Sequence, residues 1–299
     1  MSKHKPKIIV LVGPTASGKS DLAVHLAKKF NGEIISADSR QVYRGLNLGT
    51  GKITKREMCG VPHHLLDVVP PRQIFTVAHY QKLGKIAIKK ILKRGKLPII
   101  VGGTGQYVNA LVNNSVLPAV KPDLKLRLRL DKLTAAVLFK RLQKLDPRRA
   151  SNIDRHNKRR LVRALEIIEV TGKPVPKTES SIKYQVLSIG IKKSDQELKN
   201  LIHGRLRARI RKGLVKEVEK LHSSGLSWQR LDDLGLEYRW ISRYLQNLMT
   251  KPEMLEKLET EIWRYSKRQM TWFKRDQDIR WVNKKDQALR LVKKFTSSS

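Results

Sequence analysis

Gly13–Ser20, GPTASGKS, fits the spacing G-x-x-x-x-G-K-[ST] that wraps a diphosphate or triphosphate. Gly13 and Gly18 free the backbone to turn successive N–H groups onto an anion, with Pro14, Thr15, Ala16 and Ser17 completing the cradle. Lys19 places an ammonium on the outer phosphate, and Ser20 offers a hydroxyl to Mg2+. Such a loop reads charge and shape, so ATP and other phosphate compounds all fit it. It needs a strand before it and a helix after it. Ile8–Val12 is a short β-branched apolar run, and Leu22, Ala23, Leu26, Ala27 and Phe30 share one helical face. The cradle therefore lies at a helix N-terminus, where free N–H groups and the helix dipole favour a multiply charged anion.

A second chemical group follows the next strand. Glu33–Ala37 ends at Asp38-Ser39-Arg40-Gln41. In an open α/β sheet, ligands collect outside the carboxyl ends of the strands. Asp38 thus shares the edge with the phosphate loop, as a metal ligand, a general base or a turn-forming cap. Pro62–Val68 is a short strand candidate. Its adjacent His63 and His64 point to opposite faces, a poor metal pair, and one is expected packed or hydrogen-bonded and the other exposed. Phe75–Arg94 is an amphipathic helix closed by Gly95. Leu97–Val101 then leads into Gly102-Gly103-Thr104-Gly105 and a helix over Gln106–Val112. Strand, glycine turn and helix recur, which predicts an α/β fold with a doubly wound parallel sheet.

The 299 residues hold 63 Lys and Arg against 26 Asp and Glu, a net charge of +37. That excess makes a polyanion the leading partner, ahead of an anionic membrane surface. No apolar run spans a bilayer, and the basic start leads into the phosphate-loop strand instead of a signal peptide. The single cysteine, Cys59, excludes an internal disulfide and a Cys-rich zinc module. A cytoplasmic nucleic-acid-binding protein suits these features. The texture changes at Val116–Pro122, and only helices are expected from there to about Lys183. Leu133–Leu145 and Asn157–Thr171 read as a packed pair, the second with a basic start over Asn157–Arg163 and an end at Gly172–Pro176. Tyr184–Ile191 returns to strand character and rejoins the sheet. A helical C-terminal part follows, with Arg205, Arg207, Arg209 and Arg211 on Leu198–Leu221 pointing around the helix. Ile262–Arg275 interleaves aromatic and basic residues, as a surface that stacks bases does, or a core helix whose cations snorkel outward. The tail from Thr296 is expected to fray. The predicted organisation is a phosphate-loop core over 1–117 and 184–299, with a helical insertion over 118–183.

Taken together, several stretches resemble the tRNA dimethylallyltransferase (tRNA isopentenyltransferase, or IPP transferase) family. They are GPTASGKS at Gly13–Ser20, ISADSRQVYRGLNLGTGK at Ile35–Lys52, PHHLLDVV at Pro62–Val69, FTVAHYQK at Phe75–Lys82 and IIVGGTGQYVNALV at Ile99–Val112. LDPRRASNIDRHNKRRLVRALEIIEVTGKP at Leu145–Pro174 and RYSKRQMTWFKRD at Arg264–Asp276 continue them in family order. The resemblance implies transfer of a dimethylallyl group from its diphosphate to the exocyclic amine of the adenosine 3′ of the anticodon. It implies that the loop and Mg2+ hold dimethylallyl diphosphate, with Lys19, Ser20 and Arg205 on the departing diphosphate and Asp38 taking the amine proton. It also implies contacts to the tRNA anticodon stem-loop from Asp38, Ser39, Arg40, Gln41, Thr104, Arg127, Arg159, Arg160, Leu161, Val162 and Arg163, in a monomer. Two departures from the family pattern stand near Arg205: Arg207 where an acidic residue is usual, and Asp232–Tyr238 in place of a Gly-Tyr-rich turn.

Overall fold

The computed structural model describes residues 5–115, 118, 120–176 and 182–297. The change of texture at 116–122 therefore lies partly outside the described residues, and 177–181 wholly so. The chain divides into two compact units, one of Met1–Asn114 with Ile182–Ser299 and one of Ser115–Ser181.

The first unit opens with β1 (Lys7–Val12), α1 (Lys19–Lys29), β2 (Gly32–Ser36), α2 (Lys55–Met58), β3 (His63–His64), α3 (Val77–Lys93), β4 (Leu97–Gly102) and α4 (Gly105–Val112). The second unit holds α5 (Leu124–Asp131), α6 (Ala135–Leu145), α7 (Pro147–Ser151) and α8 (Lys158–Thr171). The first unit resumes with β5 (Gln185–Ile191), α9 (Asp195–Arg211), α10 (Leu214–Ser223), α11 (Trp228–Leu234) and α12 (Leu236–Leu245). It ends with α13 (Lys251–Phe273), β6 (Arg280–Val282) and α14 (Lys285–Ser297).

The strands form one sheet in the order β3-β2-β4-β1-β5-β6, and every pairing is parallel. A parallel sheet is covered on both faces, which is why its strands are apolar almost throughout. Ile8, Val10, Val12, Ile35 and Ile100 point to one face, under Tyr80, Ile88 and Ile91 of α3 and Tyr107 and Leu111 of α4. Ile9, Leu11, Ile34, Ile99 and Val101 point to the other, under Leu22 and Leu26 of α1 and Ala288 and Val292 of α14. The parallel pairing of β1 with β4 puts their carboxyl ends, with their glycine turns, side by side.

The strand expected over Pro62–Val68 shrinks to His63–His64, because Leu65 and Asp67 take positive φ (64° and 54°) and turn the chain out of the ladder. Neither histidine is the exposed one foreseen. Both are half-buried; His63 Nδ1 lies 2.8 Å from the Val61 carbonyl and His64 Nε2 2.7 Å from Glu33. The helical run over Leu198–Leu221 is two helices, α9 and α10, broken at Gly213 with φ 96°. The tail is ordered further than expected: α14 includes Thr296, whose hydroxyl donates to the Val292 carbonyl at 2.9 Å.

The second unit has its own core, with Leu138 and Leu142 of α6 against Leu161, Leu165 and Ile168 of α8. Among the described residues no helix is long and apolar enough to cross a membrane.

Candidate active site

The phosphate loop is bent by left-handed backbone at Ala16 (φ 63°) and Gly18 (φ 85°), the kind of conformation that gathers N–H groups into an anion nest. Gly13 is required for another reason: a Cβ there would lie 3.0 Å from the Ile191 carbonyl of β5. Lys19 begins α1, and its Nζ donates to the Pro14 carbonyl at 2.5 Å, folded back over the loop. Burial lowers its pKa to about 8, opposed by the charge of Asp38 and reinforced by that of Arg205. The Ser17 hydroxyl is buried without a hydrogen-bond partner among the described residues.

Beside the loop lies a cavity of about 330 Å³. Thr15 to Ser20, Asp38, Gln41 and Arg205 all line it. Three residues predicted for the chemistry, Ser20, Asp38 and Arg205, thus meet in one space from β1–α1, the end of β2 and α9. Asp38 is held by its own turn: Oδ1 accepts the N–H groups of Arg40 at 2.8 Å and Gln41 at 3.3 Å. The capping and the chemical readings of Asp38 are therefore compatible, one oxygen serving the turn and leaving the other. Thr104 stands behind this turn, its hydroxyl accepting from Ser39 N at 3.1 Å. Arg40 reaches the Asp233 carbonyl at 3.4 Å.

Four lining or supporting residues escaped the sequence reading. Gln269 of α13 accepts from Thr15 N at 2.8 Å and donates to the Gly103 carbonyl at 3.0 Å, bridging the two glycine turns. Tyr265, one turn earlier, lines the cavity, and burial raises its pKa. Arg209 lies one turn after Arg205, and its guanidinium meets Glu237 at 2.9 Å. Burial raises the pKa of Glu237 against the opposing charge of Arg209. Of the alternating arginines on α9, only Arg205 and Arg209 line the cavity, as i, i+4 neighbours must share a face. One signal for Gln269 was available: Ile262, Ser266, Gln269 and Phe273 recur at helical spacing and all are buried. A glutamine in such a stripe needs polar partners. The stretch over Ile262–Arg275 is thus a core helix on this face, with Arg264, Lys267 and Arg268 exposed on the other.

The basic run at the start of α8 belongs to the second unit. Arg159 and Arg160 are exposed, and neither forms an ion pair among the described residues. The rest of the residues expected to contact RNA there make contacts within the unit. Leu161 and Val162 are buried in the unit's core, because an amphipathic helix turns them inward. Arg127 and Arg163 both bind the fully buried Glu166, Arg127 through two bonds of 2.7 and 2.8 Å and Arg163 at 2.5 Å. Their cations neutralise a buried carboxylate.

The IPP transferase family model matches residues 41–276. The chain belongs to the IPP transferase family. It is 41% identical over 286 residues to a tRNA dimethylallyltransferase of Pelotomaculum thermopropionicum, covering 93% of this chain and 91% of that protein. The crystal structure of the full-length tRNA isopentenylpyrophosphate transferase from Bacillus halodurans is 37% identical, with a TM-score of 0.73 over 98% of this chain and 96% of that one. A crystallographic structure of a eukaryotic dimethylallyltransferase acting on tRNA is 28% identical, with a TM-score of 0.79 over 93% of this chain and 74% of that one. The IPP transferase fold in this chain is therefore the six-stranded parallel sheet with its helical C-terminal part.

Proposed function

We infer that this chain is a tRNA dimethylallyltransferase: it transfers a dimethylallyl group from dimethylallyl diphosphate to the exocyclic amine of the adenosine 3′ of the anticodon. The observation that carries the reading is the single cavity in which the phosphate loop, Asp38 and Arg205 meet. Lys19, Arg205 and the loop N–H groups bind the diphosphate and stabilise its negative charge as the allylic carbon–oxygen bond breaks. The amine nitrogen forms the new bond to that carbon and gives its proton to Asp38. The amine is barely basic, so a carboxylate in contact with it both orients it and removes the proton. The target base has to leave the anticodon stack to reach this depth.

Mg2+ fits the residues present. The Ser20 side chain is exposed at the first turn of α1, and no group of three or more His, Cys, Asp or Glu is placed to hold a metal among the described residues. Such an ion would be held mainly by substrate phosphate oxygens, with Ser20 as the protein ligand. When bound, it supplies positive charge to the leaving diphosphate. Arg159 and Arg160 give the second unit free cations for the phosphates of the anticodon stem, a contact made mainly by shape.

The test is incubation with labelled dimethylallyl diphosphate and either tRNA or AMP. Label in tRNA is expected; label in AMP alone, or hydrolysis of ATP without label, would overturn the reading. Asp38→Asn is expected to lower kcat by about 10² to 10⁴ while tRNA affinity holds. A near-normal rate would leave Asp38 only its capping role.

A further inference from the structure

Asn47, Leu48, Thr50 and Gly51 of the loop at residues 47–51 line the cavity with the phosphate loop, while Glu217 and Tyr238, which fix the loop, do not line it. Three consecutive backbone N–H groups, of Asn47, Leu48 and Gly49, point at the Glu217 carboxylate of α10 at 3.1, 2.7 and 3.0 Å. The Tyr238 hydroxyl donates to the same carboxylate at 2.9 Å. The carbonyls of the loop are held by the opposite charge: Arg209 donates to Leu48 O at 3.2 Å and Gly49 O at 3.1 Å. Glu237 balances that arginine. A Cβ on Gly49 would overlap the Tyr238 ring, so the loop and the clamp fit only with glycine there.

What the clamped loop touches gives the arrangement its consequence. A Cβ on Gly51 would lie 3.4 Å from Arg205 Nη2, so the Arg205 guanidinium faces the loop across the space that a single methyl group would fill. On the other side Gln41, from the Asp38 turn, donates to the Thr50 carbonyl at 3.4 Å. Glu217 itself does not line the cavity.

We propose that Glu217 is a positioning residue for the diphosphate leaving group, acting through the 47–51 loop on Arg205. The proposal rests on the diphosphate reading of the cavity. A carboxylate can accept all four donors because it has no hydrogen to clash with them. A glutamine in its place turns an amide N–H toward backbone N–H groups, and the loop must shift. Arg205 then loses its backing and its aim at the diphosphate, while the second unit is untouched.

A thermodynamic cycle on inorganic diphosphate binding tests this without requiring turnover. Arg205→Ala and Glu217→Gln are each expected to weaken binding, the latter about tenfold, and the double variant to bind no more weakly than Arg205→Ala alone. Additive losses, or Glu217→Gln binding diphosphate as the parent does, would overturn the proposal. In the transfer assay Glu217→Gln should raise KM for dimethylallyl diphosphate and leave KM for tRNA unchanged; an equal rise in both would mean a loosened fold and sink it. Should Glu217→Gln not fold, Tyr238→Phe removes one donor and keeps the charge. It is expected to shift the same KM in the same direction by a smaller factor, and no shift would count against the clamp. Failure of the parent protein to label tRNA would refute the proposed activity and leave the diphosphate cycle to decide on Glu217.

Discussion

Gln269 Oε1 accepts the backbone N–H of Thr15 at 2.8 Å, joining two residues 254 positions apart in the chain. With its amide on the Gly103 carbonyl, this one side chain fixes the phosphate loop against the glycine turn after β4.

Gln269→Ala should therefore weaken diphosphate binding about tenfold, the effect of freeing the Thr15 N–H end of the loop and leaving the buried Gly103 carbonyl unpaired. Gly103→Ala should do the same by a different route, since a Cβ at Gly103 would overlap the Gln269 amide. Calorimetry with inorganic diphosphate measures both. Unchanged affinity in both variants would show that the bridge is dispensable to the cradle.

Lys19 should make diphosphate affinity depend on pH. Its pKa is lowered to about 8 in the unliganded site, chiefly by burial. As pH rises from 7 to 9 it loses its proton and with it the attraction for the anion, so affinity should fall. Lys19→Arg retains its charge over this range and should flatten the profile. Titration of both proteins with inorganic diphosphate at several pH values gives the comparison.

Glu33 and Glu166 should govern acid stability. Burial alone would raise each; hydrogen bonds from Arg94, His64 and Lys96 to Glu33, and from Arg127, Arg163 and Asp123 N to Glu166, outweigh it and hold both at about 2. Their folded values lie below the ordinary glutamate value of 4.5. The stabilisation they give is complete above that value and is lost as pH falls toward 2. Glu33→Gln should cost about 1–2 kcal/mol at pH 7 and much less at pH 2. Urea denaturation at the two pH values tests the difference.

The arginines of the second unit should separate into two kinds. Arg159→Ala with Arg160→Ala should weaken tRNA binding and reduce its salt slope by about two, as loss of two phosphate contacts does. Arg127→Ala should instead lower the thermal stability of the second unit, because it strips a partner from buried Glu166. A normal salt slope in the double variant would place the RNA contacts elsewhere.

The phosphate loop, the strand before it and the helix after it were legible in the chain because the signals that mark them are local. Spacing, glycine placement and periodicity are local properties. Asp38 was legible as an edge residue because parallel sheets collect ligands at the carboxyl ends of their strands. The shared partner of Arg127 and Arg163 was not legible, for the opposite reason. A basic residue looks the same whether it faces an RNA phosphate or a carboxylate such as Glu166, 39 positions away from Arg127. Gln269, Arg209, Glu237 and Glu217 acquire their roles from partners brought near by the sheet order and the packing of α9–α13. The sequence by itself determined which side chains stand at the carboxyl ends of β1 and β2; the tertiary structure alone decided which distant side chains brace them. Hydrogen bonds and ion pairs depend on distance in space, and distance in space is settled only when the chain has packed.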